Sequence, residues 1–258
     1  QLLHDKRRSC LLFAVGVRMP QLRTSVLILD LVPAMQRHAD YARRGYEYAV
    51  TGCVPVDKTL SLARKFDALY GTAESRHGRH RAKERGIARV VLLMYAPPEH
   101  ERFRDPDSGQ QPEPDMVGFT LMSTRGDSAV HHLERPFRIT DDHTRLRIGD
   151  FELLRRTRVG QARPAWTWQM RRDVYQDWRE RLLRSARGDY TESPQVLLVQ
   201  LYRTPGFAGA RSQVGHLVSW YRRCWRRYRG NGVPFPRLPR LYFVQRVPNS
   251  GFVLGRKS

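Results

Sequence analysis

Apolar residues recur at helical spacing in a few long stretches of the chain and run in shorter blocks elsewhere. Residues 57–70 place Leu62, Phe66, Leu69 and Tyr70 on one face, with Asp57 as the expected N-cap and Gly71 as the stop. Residues 168–187 carry a stripe of Val174, Tyr175, Trp178 and Leu182, with Arg171, Arg172, Arg179 and Arg181 largely off it. The longest pattern covers 210–229: Val214, Leu217, Val218, Tyr221, Trp225 and Tyr228 share a face, and Gly230 and Asn231-Gly232 end it. A fourth helix is expected over 34–44, stopped by Gly45.

Strand-like blocks lie at 26–32 (stopped by Pro33), 46–52, 90–95, 117–123, 129–139, 145–156, 195–202 and 241–247. Thr-Arg-Gly-Asp-Ser and Thr-Asp-Asp-His-Thr separate the blocks at 117–156, which therefore read as an antiparallel meander. Residues 97–115 are rich in Pro, Asp, Glu, Gln and Gly and read as a flexible insertion; 233–239 reads as a Pro-rich linker. The apolar run 11–17 is broken by Arg18 and Pro20 and lacks a small-residue cleavage pattern, so it reads as a buried strand or helix. No internal repeat is visible. The economical fold is α+β: one domain over 1–258, with a single mixed, largely antiparallel sheet and helices packed on one face.

Charge changes this picture more than composition does. The chain has 258 residues, 40% of them hydrophobic, enough for a core, and no apolar run approaches the roughly 18 residues of a membrane span. Lys and Arg total 46 against 25 acids, a net charge of +21; five of the bases are lysine and 41 are arginine. A GC-rich genome explains arginine in place of lysine but not the excess itself. Charge of this size repels itself unless a polyanion neutralises it, and the planar arginine fork pairs with phosphate through two bonds. Nucleic acid is the expected partner, DNA before RNA, with an anionic membrane surface behind both. The three cysteines, Cys10, Cys53 and Cys224, are too few and too widely spaced for a disulfide framework or a metal knuckle, and fit a cytoplasmic protein.

Two basic clusters are the candidate contacts. On the helix at 210–229 they are Arg222, Arg223, Arg226, Arg227 and Arg229. The other cluster is a basic loop, 76–89, with Arg76, Arg79, Arg81, Lys83, Arg85 and Arg89, where Gly78 and Gly86 would let the backbone approach a phosphate. No catalytic set, cofactor or metal is expected. His77 and His80 lack partners at zinc spacing, and Asp141, Asp142, Asp150 and Glu152 read as turn formers. His131 and His132 fall in the block read as a strand and so would point to opposite faces. His132-Leu-Glu-Arg135 matches a loose His-x-x-Arg pattern that belongs on a helix. Were the chain a nickase or recombinase-like initiator instead, Tyr202, Tyr221 or Tyr228 would be the nucleophile, assisted by His132 and Arg135.

The block Leu201-Tyr-Arg-Thr-Pro-Gly-Phe-Ala-Gly-Ala-Arg-Ser-Gln213, the basic helix, and Leu238-Pro-Arg-Leu-Tyr-Phe-Val-Gln-Arg-Val-Pro-Asn-Ser-Gly251 together resemble uncharacterised accessory proteins of bacterial plasmids and integrative conjugative elements. The resemblance covers about the last quarter of the chain. It implies a role in DNA replication, transfer or maintenance, and supplies no catalytic residues; a bacterial, nucleoid-associated location is expected with it. An RNA-binding ribonucleoprotein component is the remaining alternative, and a homodimer is left open.

Overall fold

The computed structural model describes residues 26–96, 116–157, 160, 162–189, 192–246 and 251–253. The apolar run at 11–17 and the insertion at 97–115 lie outside the described residues. The class is α+β. In chain order the elements are β1 (Val26–Ile28), α1 (Leu31–Arg43), β2 (Tyr48–Pro55), a 3-10 turn (Val56–Lys58), α2 (Thr59–Tyr70), α3 (Arg76–Glu84), β3 (Val90–Tyr95), β4 (Met116–Ser123) and α4 (Ala129–Leu133). There follow β5 (Phe137–Arg138), β6 (Arg147–Ile148), β7 (Phe151–Arg156), β8 (Ala165–Met170), α5 (Arg172–Arg187), α6 (Pro194–Tyr202), α7 (Ala208–Arg229) and β9 (Gly251–Val253).

The chain divides into two compact units that interleave in sequence. One holds residues 1–34, 50–135 and 249–258, the other 35–49 and 136–248. The chain changes unit four times, so no single linker marks the boundary.

The strands also form two sheets where one was expected. The first is mixed, in the order β5-β2-β4-β3-β1-β9. β1 pairs in parallel with β3, Leu27 opposite Met94, while β3 and β4 are antiparallel from Val90 opposite Ser123 to Tyr95 opposite Gly118. In the first unit Leu27, Phe66, Val90, Leu92, Met94, Leu121 and Val130 form one buried cluster. β3 is buried along nearly its whole length, as its unbroken apolar run requires.

The second sheet, β6-β7-β8, is antiparallel and belongs to the second unit, with Phe151 opposite Met170 and Arg156 opposite Ala165. Helix α7 lies directly on β8. A Cβ on Gly209 would sit 2.5 Å from the Trp168 carbonyl oxygen, so only glycine permits that approach. The Gln213 amide then clamps the end of β8, accepting from the Met170 N–H at 2.6 Å and donating to its carbonyl at 3.1 Å. Trp168 is fully buried, and its Nε1 donates to the Met35 carbonyl at 2.8 Å.

Several expected elements take another form. Pro33 lies inside the first turn of α1 rather than ending a strand, because the first turn has no partner for the N–H that proline lacks. Asp57 falls in the 3-10 turn, and α2 begins two residues later without a side-chain cap; Gly71 ends it in the left-handed region at φ +64° as expected. The strand expected at 195–202 is helix α6, started by Ser193, whose side chain accepts from the Val196 N–H, and by Pro194 in its first turn. An unbroken apolar run carries no period to separate strand from helix. Residues 129–139 break into α4, capped by Ser128, and the two-residue β5. The block at 145–156 folds into a hairpin because Gly149 takes φ +51°, and Trp168 to Met170 belong to β8 rather than to α5. The expected last strand has no regular structure over 241–246.

Replacing Trp168 by Phe keeps an aromatic ring but strands the Met35 carbonyl and leaves part of the indole's space empty. Urea unfolding should show a loss of about 1–3 kcal/mol; unchanged stability would mean that this hydrogen bond does not hold the unit together.

Candidate nucleic-acid interface

Helix α7 contains 22 residues with six arginines and no acid. Its buried face, from Gly209 through Val214, Leu217, Val218 and Tyr221 to Trp225, fixes which side is left for charge. Arg222, Arg223, Arg226 and Arg227 are exposed.

Helix α5 lies beside α7 and runs in the same direction. The Arg179 guanidinium stands 4.8 Å from the Trp220 ring centroid, and eight residues further along both helices Arg187 stands 5.4 Å from that of Tyr228. Between these contacts the Tyr221 hydroxyl meets Ser185 Oγ at 2.8 Å in the core. Both helices therefore end at the same level. Arg184 and Arg187 occupy the last turn of one, Arg226, Arg227 and Arg229 that of the other.

Cations at a helix C-terminus are favoured by the macrodipole, but each terminus carries only about half a negative charge. Two such ends offset about one of the five guanidiniums. Arg229 is turned inward: its Nε donates to the Ala186 carbonyl at 3.0 Å, closing the C-terminus of α5, and its guanidinium stands 5.6 Å from the Trp225 ring centroid. Arg229 is thus a structural clamp as well as a cation, a role not evident from its place in the basic run. Among the described residues no acid pairs with Arg179, Arg184, Arg187, Arg222, Arg223, Arg226 or Arg227.

Many acids of this unit are held by other arginines. Asp40 pairs with Arg43 and Arg246, Glu47 with Arg138, Asp173 with Arg171, and Glu192 with Arg181. Asp142 and Glu152, from the acidic cluster in the meander, both bind Arg145, at 2.7 and 2.6 Å. This holds the Asp142 carboxyl below its usual range, and Asp141 accepts the His143 N–H as a turn former does. Among the described residues no three His, Cys, Asp or Glu side chains gather as a metal site would require.

Cys224 sits between Trp220 and Tyr228 on the helical repeat of α7. Burial pushes its thiol up, against the opposing pull of Arg179, Arg223, Arg227 and Arg187 around it. Arg179 and Arg187 thus join the patch, although sequence reasoning did not select them. The readable signal was stronger still: after Glu192 the chain carries no acid at all, and 12 of its bases lie there. Arg211, Arg237 and Arg240 belong to that acid-free region and were also missed.

The second cluster lies in the other unit and takes a different form from the loop expected. Residues 76–84 are helix α3, capped by Ser75, whose side chain accepts from the Gly78 N–H at 3.1 Å. The helix buries no residue, so its sequence has no apolar period to read. Arg76, Arg81, Lys83 and Arg85 are exposed, and Arg79 and Arg89 half-buried. Gly78 is inside the helix with Glu74 beside it, not open to a phosphate. The Arg89 backbone is paired with Thr124 on both sides, which anchors the segment's end.

His132 is on α4, 3.2 Å from Asp127 Oδ1, and Arg135 follows the helix at φ +48°. The segment is helical after all, which removes the opposite-face argument for its histidines; His131 bonds the Thr124 carbonyl at 3.1 Å. The three candidate tyrosines lie in the other unit. Tyr221 is fully buried on Ser185, and burial pushes Tyr202 up, away from the phenolate that a nucleophile needs, with Arg222 pulling the other way. Tyr228 is exposed beneath Arg187 and Arg227.

No helix among the described residues is long and apolar enough to cross a membrane. Compared with family models, curated proteins and solved structures, the chain matches none.

Arg229→Ala should cost about 1 kcal/mol in urea unfolding through the lost α5 cap, whereas Arg222→Ala and Arg226→Ala should stay within about 0.5 kcal/mol of the parent. Equal effects at all three positions would remove the distinction between clamp and surface charge.

Proposed function

We propose that the chain binds nucleic acid, DNA in preference to RNA, by gripping phosphates with the arginines at the paired C-terminal ends of α5 and α7. The observation that carries the reading is the gathering of Arg187, Arg222, Arg223, Arg226 and Arg227, none of them paired with an acid among the described residues, whose charge exceeds what two helix dipoles can offset. Guanidinium groups on a rigid helix pair track phosphates without reading bases, so this contact fixes position and affinity rather than sequence. Helix α3, with Arg76, Arg79, Arg81, Lys83 and Arg85, supplies a further cationic surface on the other unit. Arg89 extends it. The resemblance of the C-terminal region to accessory proteins of plasmids and integrative conjugative elements supports a role in replication, transfer or maintenance of such DNA.

Each phosphate neutralised contributes a slope of about −0.9 to the dependence of log K on log salt. Replacing Arg222, Arg223, Arg226 and Arg227 together by Ala should flatten that slope by about 3–4 in fluorescence anisotropy, and weaken duplexes of unrelated sequence alike. An unchanged slope would exclude α7 from the contact.

A further inference from the structure

The segment after α7 turns back along that helix without forming regular secondary structure, yet it is pinned along its length. Trp225 Nε1 donates to the Val233 carbonyl at 3.1 Å, and Gln195 Nε2 to the Arg237 carbonyl at 3.0 Å. Arg211 donates to the Leu241 carbonyl at 2.7 Å, the Val244 N–H to the Gly206 carbonyl at 3.1 Å, and Gln36 Nε2 to the Gln245 carbonyl at 2.6 Å. Gly206 is required for this docking, because a Cβ there would lie 2.2 Å from the Tyr242 carbonyl oxygen. At one end of the strap Phe235 packs on Tyr221 and Trp225.

The other end leaves two large rings in water. Tyr242 is 67% exposed and Phe243 75%. A pinned backbone beneath them means that this exposure is held in place. Each ring has a cation over it: Arg211 stands 3.6 Å from the Phe243 centroid and Arg240 stands 5.3 Å from that of Tyr242. Among the described residues no acid pairs with Arg211, Arg237 or Arg240. Fixed, exposed rings interleaved with unneutralised guanidiniums match a polyanion that also offers flat π-faces. A duplex keeps those faces inside its stack, whereas an unpaired strand presents them.

We propose that Tyr242 and Phe243 form a stacking platform for the bases of single-stranded nucleic acid, with Arg211, Arg237 and Arg240 taking its phosphates. This inference rests on the reading of the protein as a nucleic-acid binder and adds the strand type and a site away from the C-terminal ends of α5 and α7. The phosphate grip of α5 and α7 is indifferent to pairing; the platform is not.

The test uses the full chain, a thymine homopolymer of about 20 nucleotides and a duplex of equal length, since single-strand sites span about 4–16 nucleotides per binding fold. Tyr242→Ala with Phe243→Ala should weaken the single strand by about tenfold per ring while leaving the duplex within about twofold. Tyr242→Trp with Phe243→Trp should retain single-strand binding. Tyr242→Leu with Phe243→Leu, which keeps apolar bulk without a flat face, should behave as the alanine pair. The platform is overturned if the alanine pair holds the single strand as the parent does, if it loses both ligands equally, or if the leucine pair binds like the parent. A parent dimer in sedimentation that the alanine pair dissolves would also overturn it, by assigning the rings to a second copy of the chain. Binding of neither ligand by the parent would instead bring down the underlying reading.

Discussion

Two helices that run in the same direction and stop at the same level put like ends together. At the C-termini of α5 and α7 the partial negative charge sums to about one, and the last turns answer it with five arginines. Unit charges roughly 8 Å apart in water repel by about 0.5 kcal/mol, less once salt screens them. Each pair is a small penalty, but a cluster accumulates many pairs, and no acid on α7 relieves it. A bound polyanion removes the penalty and adds charge-assisted hydrogen bonds.

The rest of the second unit keeps that arrangement in place. Gly209 lets α7 lie on β8, Gln213 clamps the strand's end, and Tyr221 and Ser185 join the two helices in the core. Arg229 ties the end of one helix to the end of the other. Many of the acids that could have neutralised the patch are engaged elsewhere, with Arg145 alone holding two of them. The strap that follows α7 returns to the other end of that helix, where it holds exposed rings beside Arg211 and Arg240.

Much of this was legible in the sequence, though unevenly. α7 and α2 were readable because a buried face gives an apolar period and a glycine ends each helix. α3 was not, because a helix with no buried residue has no period; only Ser75 as a cap marked its start. α6 was misread because four apolar residues in a row fit strand and helix equally, and Pro194 after Ser193 was the signal that could have decided. The apolar residues at 241–247 read as a strand, yet side chains from other elements, rather than a neighbouring strand, satisfy the strap's bonded carbonyls. The positive charge of α7 was plain in the sequence. That Arg179 and Arg187 would join it was not, since the pairing of α5 with α7 is a tertiary fact. Arg229 shows the converse: a residue indistinguishable from its neighbours in the sequence becomes a helix clamp in the fold.

The account depends on the positive charge acting as a localised anion site rather than a diffuse surface property. Arginine-selective modification by phenylglyoxal, read by mass spectrometry with and without a DNA duplex, tests this directly. Protection concentrated on Arg187, Arg222, Arg223, Arg226 and Arg227, with Arg43, Arg138 and Arg145 modified equally in both states, is the predicted pattern. Protection spread evenly over all of these arginines, or absent from α7, would contradict it.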